Sequence, residues 1–127
     1  MAETHLHTLP KSERLCSRTV LQRLFGGERR SISVFPIRAV FADSQEPGIR
    51  IMVSVSKRHF KRAVKRNRVK RQLREAYRLN KHLLADLPHG LDIAFLWNVA
   101  QVLPTPIVML KMQQLLHRIH ESIVTSQ

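Results

Sequence analysis

The residues best placed to do chemistry in this 127-residue chain are basic. Between Lys57 and Arg78 stand eleven Lys and Arg (Lys57, Arg58, Lys61, Arg62, Lys65, Arg66, Arg68, Lys70, Arg71, Arg74 and Arg78) against one acid, Glu75, a net +10 of the formal +13. Arg outnumbers Lys there. A guanidinium is a planar fork that grips a phosphate through two parallel hydrogen bonds, stacks on bases and sheds water more readily than an ammonium. Asn67 lies within the run, and its amide offers a donor and an acceptor to a base edge or a sugar hydroxyl. So localised a patch requires a polyanion to neutralise it, and nucleic acid fits that chemistry. An ordinary solvated helix mixes signs and forms i,i+4 ion pairs. A membrane-surface helix needs a free apolar face, which this segment must spend on a core.

Catalysis by the chain itself would need other groups. Seven histidines (His5, His7, His59, His82, His89, His117, His120) are scattered along the sequence. His117 and His120 are i,i+3, but no Cys or suitably placed carboxylate completes a metal site beside them. A magnesium nuclease needs clustered carboxylates, and the nine acids are dispersed. Cys16 has no evident base to make it a thiolate. Phosphate-cradling glycine motifs are absent. The expectation is a binding protein with no catalytic or metal-ligating residue of its own and no small-molecule substrate.

Length and composition set the frame for those residues. A chain of this size is one domain by the usual prior, and its 43% apolar content supports a core. One cysteine permits no intrachain disulfide, which suits the cytoplasm. No apolar run reaches the roughly 20 residues of a membrane span. Residues 1–12 are expected to be a loose lead-in, since Met1 to Pro10 has neither the charge of a signal peptide nor that of a transit peptide. The folded domain, which carries the basic segment, is expected over 13–124.

The elements that would position the basic residues follow from periodicity. Ser17 can cap a short helix that ends at Phe25 before Gly26-Gly27. Segment 31–42 reads as a strand that Pro36 either splits or confines to an edge. After the turn 43–48, segment 49–56 alternates, with Ile49, Ile51, Val53 and Val55 on one face. The basic helix starts within 59–62 and runs to about Leu84. Val69, Leu73, Ala76, Tyr77, Leu83 and Leu84 form its apolar stripe, and Asn67, Lys70, Arg71, Arg74 and Arg78 face the other way. Segment 91–98 is another strand. Thr105 is placed to cap a last helix with Pro106 in its first turn and Val108, Met112, Leu115, Ile119 and Ile123 inward. The fold class expected is α+β, in the order α-β-β-α-β-α with room for a further short strand inside 28–42, helices packed on a mostly antiparallel sheet.

Physics alone favours RNA over DNA only mildly, since neither a helix-turn-helix, zinc finger or zipper nor an aromatic-rich RNP motif accompanies the helix. The stretch Ser54 to Arg78, SVSKRHFKRAVKRNRVKRQLREAYR, closely resembles the signature of the bacterial ribonuclease P protein subunit. That pattern is a strand ending in small residues and a Lys-Lys/Arg pair, here Lys57-Arg58. A basic connection and a helix bearing Arg-Asn-Arg-x-Lys-Arg-x-x-Arg-Glu follow, here Arg66-Asn67-Arg68, Lys70-Arg71 and Arg74-Glu75. Upstream, Arg14-Leu15 and Phe25 resemble the family's opening. The resemblance covers roughly residues 13 to 123.

The resemblance implies a protein cofactor of a ribozyme that removes the 5′ leader of precursor tRNA. The chemistry would belong to ribonuclease P RNA and the Mg2+ it holds, making the chain an enzyme subunit only within the holoenzyme. It also implies a left-handed crossover and a cleft between the first helix and the sheet for the leader. On this reading Arg66, Asn67, Arg68, Lys70, Arg71 and Arg74 contact the catalytic RNA. Phe25, Lys57, Arg58, Lys61 and Arg62 contact the leader or substrate. Many members carry a second aromatic four residues before Phe25, where this chain has Leu21, which leaves an apolar contact in place of a stacked base. The alternative is a ribosomal or assembly protein of similar fold using the same face on ribosomal RNA.

Overall fold

The computed structural model describes residues 29–44 and 47–125. The helix expected before Gly26, with Leu21 and Phe25, lies outside the described residues, as does Cys16.

Segment 31–42 splits at Pro36. Strand β1 (Arg30–Val34) and strand β2 (Ile37–Ser44) pair antiparallel, from Arg30 opposite Phe41 to Val34 opposite Ile37. The tight turn between them is Phe35-Pro36, joined by a cis peptide bond. Proline has no N–H to give a ladder, so placing it in the turn leaves both strands intact. β3 (Ile49–Val55) does not pair with β2 across the turn that joins them. β4 (Gly90–Trp97) lies between the two, antiparallel to β2 and parallel to β3, in the sheet order β1-β2-β4-β3. A parallel neighbour requires a crossover. Helix α1 (Ala63–Asn80) supplies it, with the 3-10 turn Lys81–Leu84. Helix α2 (Thr105–Thr125) closes the described chain.

Alternation decides which face is covered. Ile37, Ala39 and Phe41 of β2, Ile51 and Val55 of β3, and Leu91, Ile93, Phe95 and Trp97 of β4 share one apolar core with both helices. α1 contributes Val69, Leu73, Ala76 and Tyr77, and α2 contributes Val108, Met112, Leu115, Ile119 and Ile123. The Tyr77 and Phe95 rings lie 5.8 Å apart at a 45° tilt, within the range favoured by aromatic quadrupoles. Leu73 is fully buried, so Leu73→Ala would cost about 2–5 kcal/mol through lost contacts and a cavity.

Four polar side chains are buried among the described residues: Ser44, Gln72, Asn80 and Asp92. Gln72 and Asn80 face α2. The Gln72 amide donates to the Leu103 carbonyl at 2.9 Å and to the Thr105 hydroxyl at 3.2 Å. Asn80 donates to the Ala76 carbonyl at 2.8 Å and accepts from Gln113 at 3.1 Å. Asp92, on the other face of the sheet, pairs with Arg50. Thr105 therefore does not cap α2. The Pro104 carbonyl accepts from the Ile107 and Val108 N–H groups at 3.0 and 3.2 Å, which puts the cap at Pro104 and leaves the Thr105 hydroxyl to Gln72. No described helix is long and apolar enough to cross a membrane.

Candidate nucleic-acid interface

The basic segment begins where β3 leaves the sheet. Ser56 folds the chain back: its hydroxyl accepts from the Arg58 N–H at 3.0 Å, and its carbonyl accepts from the His59 and Phe60 N–H groups at 3.1 and 3.2 Å. Phe60 is buried in the core. Lys57, Arg58, Lys61 and Arg62 around it are exposed. The loop is thus pinned by one aromatic and one serine while its cations stand in water.

Helix α1 starts without a side-chain cap and with no acid in its first turn. Its unpaired N–H groups and the positive end of its dipole therefore add to the cations beside them. The buried stripe Val69, Leu73, Ala76, Tyr77 fixes the helix rotation, and Asn67, Arg71 and Arg74 are left exposed with Lys70 partly so. These four form an outward wall. Arg78 continues it in sequence but is tied to Glu75, its Nε donating to Oε2 at 3.1 Å. That hydrogen bond holds the Glu75 carboxyl below the usual carboxylate range, against the opposing effect of burial and with a lesser contribution from the Arg78 charge. Glu75 in turn raises the Arg78 pKa above its ordinary value.

Arg66 and Arg68 part company with the wall, in opposite directions. Arg66 stands three residues before Val69 and seven before Leu73, on the inward side of the helix. Its Nη1 donates to the Phe60 carbonyl at 2.7 Å and the Lys61 carbonyl at 2.9 Å. It is a buckle closing the loop on the helix start. Residue 66 is in 3–4 register with Val69 and Leu73 of the buried stripe, which turns this side chain toward the loop.

Arg68 faces sideways. With His59, Lys61, Arg62, Lys65 and Gln101 it lines a cavity of about 590 Å³. The far wall is the segment between β4 and α2, held in place at three points. The Asn98 N–H donates to the Pro36 carbonyl at 3.0 Å. The Trp97 indole donates to the Gln101 carbonyl at 3.1 Å. Gln72 holds the Leu103 carbonyl. Gln101 was not singled out from the sequence, because only the fold brings its segment against the helix; His59 and Lys65 were named there but given no place in a site.

The family model described as Ribonuclease P matches residues 9–120. The chain belongs to the ribonuclease P protein family. It is 51% identical over 82 residues to the ribonuclease P protein component of Porphyromonas gingivalis, an alignment covering 62% of this chain and 59% of that one. The chain thus spans about three-fifths of the length of the curated relatives it matches first. The RNase P protein from Thermotoga maritima superimposes with a TM-score of 0.71 at 26% identity, covering 84% of this chain and 96% of that one. The Staphylococcus aureus RNase P protein shares the fold, with a TM-score of 0.70 over 89% of this chain and 99% of that one at 21% identity. The four-stranded sheet with helices on one face is therefore the architecture of the ribonuclease P proteins. The ribosomal alternative gains nothing from these likenesses.

Among the described residues, no group of three or more His, Cys, Asp or Glu side chains comes together as metal ligands. Asp43 pairs with Arg30, Glu75 with Arg78, Asp92 with Arg50, and Asp86 with His120 at 3.0 Å. No step is assigned to a metal ion held by these residues.

Proposed function

We propose that the chain is the protein subunit of ribonuclease P, binding the catalytic RNA and the 5′ leader of precursor tRNA and so promoting 5′-end maturation in the cytoplasm. The observation that carries this reading is the outward wall of Asn67, Lys70, Arg71 and Arg74 on a helix whose other side is locked into the core. Lys70, Arg71 and Arg74 at helical spacing neutralise successive phosphates and release their counterions. The wall is the surface for the catalytic RNA. Lys57, Arg58, Lys61 and Arg62, at the end of the sheet, meet the substrate, and Phe25 serves the leader.

The mechanism is positional and electrostatic. Phosphate contacts set register without reading sequence, so the chain aligns two RNAs whose own repulsion opposes their meeting. The Mg2+ that supplies a hydrolytic nucleophile belongs with the RNA. Residues 13–124 act as one RNA-binding unit.

Filter binding to a bacterial ribonuclease P RNA across a salt series tests this reading. With six to ten phosphates neutralised, affinity should fall on the order of 10³–10⁵-fold between 50 and 200 mM salt. A flat dependence would remove the electrostatic basis of the proposal.

A further inference from the structure

Among the described residues, Phe35 is a large apolar side chain left 71% exposed. It stands on the two-residue turn between β1 and β2, beside a proline that fixes its own backbone φ. The Pro36 carbonyl is held by the Asn98 N–H at 3.0 Å. Asn98 opens the segment that walls the basic cavity of His59, Lys61, Arg62, Lys65, Arg68 and Gln101. The turn, that segment and the 56–62 loop all lie at one end of the sheet, because Ile37 and Val55 both pair with Trp97. From the β1–β2 turn to the end of β3 is two to three strand spacings, about 10–14 Å. A presented ring and a cation-lined cavity are therefore separated by the span of a few nucleotides.

We propose that this end of the sheet binds an unpaired stretch of RNA, one base stacking on Phe35 while neighbouring phosphates enter the basic cavity. The inference rests on the RNA-binding reading above and names a contact that reading does not contain. A ring offers its face only to a base freed from a helix, whereas cations alone would take duplex and single strand alike. No acid lines the cavity. Its size exceeds one phosphate group, and His59, Lys61, Arg62, Lys65 and Arg68 supply more donors than one phosphate can accept. Successive phosphates of a bent backbone fit both features. Phe35 is a binding residue with no part in any chemical step.

The test uses the full chain and two probes, a labelled oligouridylate of about ten nucleotides and an RNA duplex of matched charge, read by fluorescence anisotropy over a salt series. Phe35→Ala should weaken oligouridylate binding about 5- to 150-fold, the loss of one stacked base. It should leave the slope of log affinity against log salt, and duplex binding, unchanged. Phe35→Trp should restore the affinity. Lys65→Gln should reduce the single-strand salt slope by about 0.7, the contribution of one phosphate. Phe35→Ala binding the oligouridylate as the parent does, or weakening both probes equally, would overturn the stacking proposal and leave the functional reading standing. Failure of the parent chain to bind either probe would bring down both.

Discussion

The guanidinium of Arg66 donates to the main-chain carbonyl of Phe60 at 2.7 Å, six residues back. A second bond reaches Lys61, so one arginine of the basic helix holds that helix against its own preceding loop. Hydrogen bonds from a charged group contribute about 1.5–3 kcal/mol each when made well, less where water competes.

Arg66 and Arg68 should therefore respond differently to truncation. Arg66→Ala is expected to lower stability by about 1–3 kcal/mol and to weaken RNA binding as the Lys57–Arg62 loop loosens. Arg68→Ala, exposed on the cavity wall, should leave thermal unfolding unchanged and weaken RNA binding by about 1–3 kcal/mol. Parallel melting and binding curves decide it. Equal melting losses in both variants would contradict the assignment.

Asp92 and Arg50 lie opposite each other in the β3–β4 register and bond through both carboxylate oxygens, at 2.9 and 3.1 Å. The Asp92 side chain is 0% exposed and that of Arg50 is 21% exposed. Asp92→Ala should cost about 3–5 kcal/mol, because it strands a partly buried charge. Urea denaturation measures this, and a loss below 1 kcal/mol would mean that water reaches Arg50 freely.

Gln72 bridges α1 to the start of α2 through Leu103 and Thr105, while its Oε1 has no hydrogen-bond partner. Gln72→Leu should destabilise by about 1–3 kcal/mol, the cost of leaving the Leu103 carbonyl unpaired. Hydrogen exchange should rise at Val102 to Ile107. Unchanged exchange there would show that Gln72 does not hold the segment.

The Glu75 carboxyl sits below its ordinary range because of Arg78. A group with a lowered folded pKa stabilises the fold above its unfolded value, about 4.3, and loses that contribution as pH falls through the folded value. Both partners are substantially exposed, so the effect is about 0.2–1 kcal/mol. Stability of the parent relative to Glu75→Gln should be constant above about pH 5 and decline below about pH 4. A relative decline setting in at neutral pH would contradict the pairing.

Much of this architecture can be read from single residues in the sequence. The alternation of Ile49 to Val55 and of Leu91 to Trp97 marks two strands by the period of the pleat, and Val69, Leu73, Ala76 and Tyr77 orient α1. The order of strands is not legible in that way. Nothing local announces that β4 inserts between β2 and β3, and hence that Asp92 finds Arg50. Gln72 and Asn80 read as polar positions on a helix, yet both are buried because α2 brings Thr105 and Gln113 to meet them. The outward wall was legible because charge runs are local in sequence. The cavity was not, since its second wall lies more than thirty residues away, beyond β4.

Cleavage of the 5′ leader from precursor tRNA at low magnesium tests the central claim most directly. The assay compares the protein alone, a bacterial ribonuclease P RNA alone, and the two together. The account predicts cleavage by the mixture well above that by RNA alone, and none by the protein. Cleavage by the protein alone, or a mixture no better than RNA alone, would contradict it.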